Sequence, residues 1–417
     1  MSERWEKRLP FYYGWVIFGI TFFIYMFMYG LRYSVGIFFE PIRNEFGWTN
    51  VQTASGVTIF FWVYAVSAPL VGQLARKIGV RKTVLMGGLL LGGGGVLLSQ
   101  IQALWQLYLV WGVIAAMGSA ALYIVPTMVL SKFFHKKRGS TVGWSSVGVS
   151  AGQALIIPQV AKLIPSWGWR PSMLFLGALV ICTTSLIGYL FLREDPEELG
   201  LYPDGADRPL NELQDGALSE DWTPKRASTD WTFRILAVSY FFTTGGIISM
   251  MTFVVPHMIN IGISPIQASG AFGVIGIMSA MGSILFGFFS DRFGRKRTIV
   301  VTTGLIALSF GVSTLIPANL TMLYGWAVLY GLSYGGAPEQ YAAIVTDYFG
   351  PAHNTTLFGL VTLAGGIGGG LFPLLGGWIV DRTGDYYTTL LVLAAGMAIA
   401  SALAFSLKDP NGATPGP

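Results

Sequence analysis

GQLARKIGVRK at residues 72–82 returns as GFFSDRFGRKR at 287–297, 215 residues later. Each copy closes one apolar run and opens the next. The runs flanking the first copy lie at 52–75 and 83–101, and those flanking the second at 266–290 and 298–316. Gly72 and Gly287 are expected to end their helices tightly. Gly79 and Gly294, seven residues on, are expected to turn the chain back, because glycine takes left-handed backbone without steric cost. The bases that follow would anchor the turn at the polar face of a membrane. A unit that recurs at this distance divides the chain into two like halves, a pattern typical of membrane carriers built from repeats.

Reading outward, the rest of the chain agrees. Of 417 residues, 53% are hydrophobic and only 11% charged, with a mean hydropathy of +0.58. A soluble domain carries about 25% charged residues, so this chain cannot cover its surface with charge and must face lipid. Apolar segments at 11–38, 52–75, 83–101, 105–131, 139–162, 171–192, 233–259, 266–290, 298–316, 321–346, 355–380 and 386–407 are each long enough to cross a hydrocarbon core of about 30 Å. The runs are continuous rather than alternating, and an open sheet in lipid would leave backbone groups unpaired. The expected fold class is therefore an all-α integral membrane protein with twelve transmembrane helices in two six-helix bundles related by a pseudo-two-fold axis. Its predicted parts are a first bundle at 1–192, a cytoplasmic linker at 193–232 that holds eleven acids, and a second bundle at 233–417.

The lysines and arginines set the orientation. With the N-terminus inside, twenty-one of the twenty-six fall on one side and four on the other, leaving Arg32 within a span. That bias predicts cytoplasmic termini, and the compact loops point to a bacterial inner membrane. The basic N-terminus precedes an apolar run too long for a signal peptide and lacking a small-residue cleavage site. The net charge of +5 is scattered in short clusters between apolar runs and makes no case for nucleic acid. One cysteine, Cys182, and three histidines supply neither a disulfide nor a metal or nucleophile cluster. An enzyme is not expected, nor any cofactor or metal. The glycine clusters at 92–95 and 365–370 lack a P-loop lysine and read as close helix packing.

The second repeated loop resembles the signature of the major facilitator superfamily, G-x-x-x-D-R-x-G-R-[KR]-[KR], at every informative position. The first departs from it, with Arg76 in place of the acid. The resemblance implies alternating access, with Asp291 and its neighbours Arg292, Gly294 and Arg295 gating the cytoplasmic face alongside Gly72, Gly79 and Gly287. A narrower resemblance is to the monocarboxylate porters and bacterial oxalate/formate exchangers. It rests on YYGWVIF (12–18), RYSVGIFFEPIRNEFGWT (32–49), YIVPTMVLSKFFHKKRGSTVGWSSVGVSAG (123–152), EDPEELGLYPDG (194–205), DYFG (347–350) and WIVDRTGDY (378–386). It implies a carrier for a small organic anion, a monocarboxylate, moved with a proton by a monomer in the lipid bilayer. Two positions depart from that group. Ser283 stands where an arginine is common on the eighth helix, and Gly365 where the oxalate exchangers carry lysine, which disfavours a dianion. The lysine of the mammalian-type porters, late in the first helix, aligns with Tyr33.

Three ionisable residues stand out, because a charge in a span needs a partner, a water-filled cavity or an interface. Arg32 reads either as a bidentate carboxylate site or as an arginine snorkelling to the headgroups. Glu339, in SYGGAPEQYAA, reads as a proton carrier or as a structural hydrogen-bonding group. Arg32 and Glu339 are expected to differ in depth by about 20 Å, against a direct pair. His257, closing the seventh helix, can titrate in the useful range or sit at the interface. Tyr123, Tyr334 and Gln153 are candidates for hydrogen bonds to substrate. The rival reading is export or exchange of a larger amphipathic anion, in a pocket made roomier at Ser283 and Gly365. A non-transporting sensor is more remote, because neither the linker nor the short tail offers a cytoplasmic domain.

Overall fold

The structure, a computed structural model, describes residues 11–134, 138–205, 224–349 and 354–407. The segments that the described residues form are helical, and ten helices are long and apolar enough to cross a membrane. These are α1 (Gly14–Phe46), α2 (Asn50–Ile78), α3 (Val80–Leu98), α4 (Leu104–Phe133), α5 (Thr141–Trp167), α6 (Trp169–Phe191), α7 (Trp231–Asn260), α8 (Pro265–Phe293), α11 (Leu357–Thr383) and α12 (Tyr387–Ser406). Between α8 and α11 lie α9 (Arg295–Ser313) and α10 (Leu320–Gly336), the latter resuming beyond a break as Pro338–Phe349. Every expected span is thus matched by a helix. The break in α10 has a local cause, because a proline removes a backbone donor and disfavours helix at the residue before it.

The chain divides into two compact units. One comprises Met1–Val35 with Val66–Ala217, the other Gly36–Ala65 with Leu218–Pro417. Residues 36–65, which belong to the first half by sequence, therefore group with the second unit. In the first unit α1 packs along α5 and α3 along α6; in the second α7 packs along α11 and α9 along α12. The same helix positions pair in each half, so the repeat read at 72–82 and 287–297 extends to the packing.

Glycine sets how closely these helices approach. A Cβ on Gly148 or Gly152 of α5 would lie 2.4 Å from the Phe22 carbonyl oxygen and 2.3 Å from that of Met26 on α1. On α10, a Cβ on Gly335 would lie 1.8 Å from the Ser279 carbonyl oxygen of α8. Small-residue contacts of this kind substitute for the hydrophobic driving force that is missing between helices in lipid. The opposite face of α8 exposes Ile277, Met281, Ile284, Leu285 and Phe288, a long apolar stripe suited to acyl chains rather than water.

The repeated loops are tight, as expected: Gly79 and Gly294 turn the chain with φ of 88° and 90°. Gly72 and Gly287 correct the reading in one respect. Neither ends its helix; α2 and α8 run on to Ile78 and Phe293, and both glycines face open space. Helix propensity along the flanking residues carries each helix past a single glycine, at a cost of about 1 kcal/mol. Of the linker, residues 206–223 lie outside the described residues. The preceding stretch is fastened to the first unit, with Lys132 2.8 Å from Asp195 and Arg81 Nε donating to the Leu192 carbonyl.

Candidate functional site

In the first unit Arg32 lies beside Tyr29 and Tyr33, near the end of the first helical stretch of α1. Ser34 interrupts α1, its amide and hydroxyl both donating to the Leu31 carbonyl. Arg32 is 7% exposed, so it does not snorkel to a surface. Its guanidinium carbon lies 5.2 Å from the Tyr29 ring centroid and 6.0 Å from that of Tyr33. A desolvated cation over a ring gains up to about 2 kcal/mol.

Tyr123 on α4 extends this wall. Its ring is 6.4 Å from that of Tyr29 and stacks on Tyr25 at 5.3 Å, and the Tyr25 hydroxyl bonds both the Tyr123 carbonyl and Thr127. Gln153 is fully buried in a π-helical turn of α5, Gly152–Ile156. Such turns in an α-helix often mark functional positions. Arg32, Tyr33, Tyr123 and Gln153 thus all lie in one unit, and the rings of Tyr25 and Tyr29 join them. The aromatic run of α1 signalled those two rings, but without a partner helix their orientation could not be read.

The second unit is built differently. Tyr334 on α10 is buried and stacks on Tyr330 at 5.9 Å, which stacks in turn on Trp326 at 5.5 Å. Glu339 occupies the first turn after the α10 break, near Ser283 on α8. Next to it, Ser290 Oγ donates to Gln340 Oε1 at 2.6 Å. His257 is buried. Its ring packs 6.1 Å from that of Tyr386 and 5.8 Å from that of Tyr387, with Nε2 3.4 Å from the Ser313 carbonyl.

Gly365 shows what a departure from the porters' pattern does locally. A Cβ there would lie 2.6 Å from the Tyr240 ring and 2.9 Å from Thr244 Oγ1, so Tyr240 of α7 fills the space a longer side chain would need. The site is no roomier at that position. Tyr240 also meets the ring of Tyr341 at 4.7 Å, and Tyr341 shares its hydroxyl with Ser239 at 2.7 Å and Thr243 at 2.9 Å. This hydroxyl cluster was missed in the sequence, where only the tyrosines at 240 and 341 hinted at it.

At the repeated loop, Asp291 is exposed at the end of α8, Arg292 lies 5.7 Å from the Phe293 ring centroid, and Arg295 pairs with Asp347 at 2.8 Å. Burial pushes the Asp347 carboxyl above its usual range, against the pull of Arg295.

The profile of the Major Facilitator Superfamily matches residues 21–280 and again 236–417, so it spans both halves. Similar proteins include monocarboxylate transporter 12 of Xenopus laevis, 26% identical over 408 residues that cover 94% of this chain and 88% of that protein. Monocarboxylate transporter 11 of Homo sapiens is 27% identical and monocarboxylate transporter 13 of Rattus norvegicus 23%. They cover 91% and 95% of this chain, and 80% and 89% of their own lengths. Among solved structures, a bacterial homolog of the human lysosomal transporter Spinster, in an inward-facing and unoccupied conformation, superposes with a TM-score of 0.72. That pair shares 18% identity and covers 94% of this chain and 96% of the other.

Proposed function

The chain belongs to the major facilitator superfamily, and from that premise we propose that it is a secondary active carrier of a small organic anion, a monocarboxylate, moved together with a proton. The observation that carries the substrate class is Arg32, buried against Tyr29 and Tyr33 in the first unit. A guanidinium can hold a carboxylate through two parallel hydrogen bonds, and the tyrosines supply further donors. The names of the relatives support the same class.

Proton coupling follows from charge balance. Entry of a bare anion opposes an inside-negative potential, whereas a co-transported proton cancels the charge. We assign the proton to Glu339, which is exposed beside the α10 break and near Ser283. His257, packed against Tyr386 and Tyr387, is the lesser candidate. Tyr33, Tyr123, Gln153 and Tyr334 would orient the substrate. The bundles at 1–192 and 233–417 would rock about it, with Gly72, Gly79, Gly287, Asp291, Arg292, Gly294 and Arg295 gating the cytoplasmic end. The lysine and arginine bias supports cytoplasmic termini.

The test is uptake of labelled lactate, pyruvate, formate and oxalate into proteoliposomes, with and without an inward proton gradient. Gradient-driven uptake of a monocarboxylate is expected, with oxalate excluded. No carboxylate uptake under either condition would sink the reading. Exchange of a larger amphipathic anion is the second reading; Ser283 favours it, while the Tyr240 ring over Gly365 counts against it.

A further inference from the structure

Gln340 and Tyr341, the two residues that follow Glu339, are tied to neighbouring helices by bonds that the transport reading does not use. α10 breaks at Ala337, and the segment Pro338–Phe349 begins with a proline. A proline has no amide to carry the backbone ladder onward, so the second segment takes its orientation largely from the side chains that hold it. Its middle and end are held by apolar packing. Ile344, Val345 and Phe349 share a buried cluster with Phe233 and Leu236 of α7, Ile299 of α9 and Leu357 of α11. Asp347, about two turns beyond Glu339, pairs with Arg295.

The first turn is held by polar groups instead. Gln340 Oε1 accepts from Ser290 Oγ of α8 at 2.6 Å, while Tyr341, with no exposure, reaches α7. Its hydroxyl lies 2.7 Å from Ser239 Oγ and 2.9 Å from Thr243 Oγ1, and its ring 4.7 Å from that of Tyr240. The protons fix the direction of these bonds. Ser239 Oγ gives its proton to the Ala400 carbonyl of α12, and Thr243 Oγ1 gives its own to the Ser239 carbonyl. Each hydroxyl has a single proton, so both can only accept from Tyr341, which shares its one proton between them. The two acceptors stand about one turn apart on α7, and they bracket the phenol hydroxyl along the helix.

Two consecutive residues are thereby fastened to different helices, Gln340 to α8 and Tyr341 to α7. Glu339, exposed one position earlier, takes the backbone direction that they set. Burial alone does not call for a hydroxyl at 341. Ser239 and Thr243 keep their carbonyl partners without it, so no buried donor depends on the phenol. Phenylalanine would fill the same space beside Tyr240. What the hydroxyl adds is a fixed position for the start of the segment, next to the residue assigned the proton.

We propose that Tyr341 is a positioning residue for Glu339: its hydroxyl, bracketed by Ser239 and Thr243, fixes the backbone of the first turn after the α10 break and so sets where the carboxyl is presented. This role rests on the proton assignment to Glu339, but its test needs no substrate. The full chain in nanodiscs is titrated with acid while infrared difference spectra follow the carbonyl stretch of protonated carboxyls. The band missing in Glu339→Gln belongs to Glu339. Tyr341→Phe is expected to broaden or split that band at an unchanged melting temperature. Thr243→Val, which spares the shorter bond to Ser239, is expected to broaden it less. Gly152→Ala, which forces helices apart in the first unit, is expected to lower the melting temperature and leave the band as it is. A band of parental shape in Tyr341→Phe would overturn the proposal. So would equal broadening in Gly152→Ala, the mark of general loosening. No band lost in Glu339→Gln would remove the proton assignment itself, and with it anything for Tyr341 to position.

Discussion

Arg32 and Glu339, the two charges proposed to carry transport, are housed in opposite ways. Arg32 is buried on a regular helical turn, ringed by tyrosines that are themselves fixed by stacking. Glu339 is exposed, sits just past a helix break, and lies near one serine, Ser283. A guanidinium never loses its charge, so it can serve only if its surroundings make a standing place for an anion. A carboxylate can lose its charge, and a loosely held position lets it meet water in one state and neighbours in another. In the proposed mechanism the difference separates a fixed anchor from a group that changes protonation.

The sharpest way to break this comparison is to remove the anchor. Arg32→Gln is expected to lower uptake at low substrate by about a hundredfold, the loss of roughly 3 kcal/mol from a charge-assisted hydrogen bond. Arg32→Lys, which keeps the charge but not the fork, is expected to retain a measurable part. Equal activity in Arg32→Gln and the parent would show that the anion binds elsewhere. Next comes the titrating group. Glu339→Gln is expected to abolish acceleration by an inward proton gradient, while exchange of labelled for unlabelled substrate at equal pH persists. If Glu339→Gln still concentrates substrate against a gradient, the proton travels by another route.

Two glycine substitutions sharpen the comparison through packing. Gly335→Ala forces α10 away from α8 close to Glu339, and Gly152→Ala forces α5 away from α1 in the unit that holds Arg32. Each is expected to cost about 1–3 kcal/mol, read as a lower melting temperature of the purified protein. Gly335→Ala, with the shorter intruding distance, is expected to cost more. The smallest effect belongs to Gly287→Ala. With open space around it, its melting temperature should hold or rise slightly. A transport defect without destabilisation would then locate a gating role in another state of the carrier.

Much of the fold was legible because lipid imposes it. Continuous apolar runs can satisfy their backbone only as helices, and the tight turns at Gly79 and Gly294 follow the repeat at 72–82 and 287–297. The end of a helix was less legible. Gly72 and Gly287 read as stops, yet the bonding of a long helix outweighs a single glycine. The α1 cluster was half visible, since an arginine among tyrosines announces itself, but whether it faces protein or headgroups depends on a neighbouring helix. Tyr240 could not be read at all. Its role depends on the missing side chain at Gly365, more than a hundred residues away. The nearness of Ser283 to Glu339 was hidden for the same reason, because contacts between helices are set by packing that local pattern does not encode.

The border between the two units does not coincide with the border between the two repeats. Residues 36–65 are synthesised with the first repeat but find their apolar cover, Phe253 and Val380 among it, in the second. During synthesis, that stretch must wait for about two hundred further residues before its partners exist. A chain divided in the central linker would give a leading fragment with Phe39 and Ala54 uncovered, prone to misassembly when expressed alone. Co-expression with the trailing fragment would supply the cover, so the two pieces are suited to reassociate as a split protein.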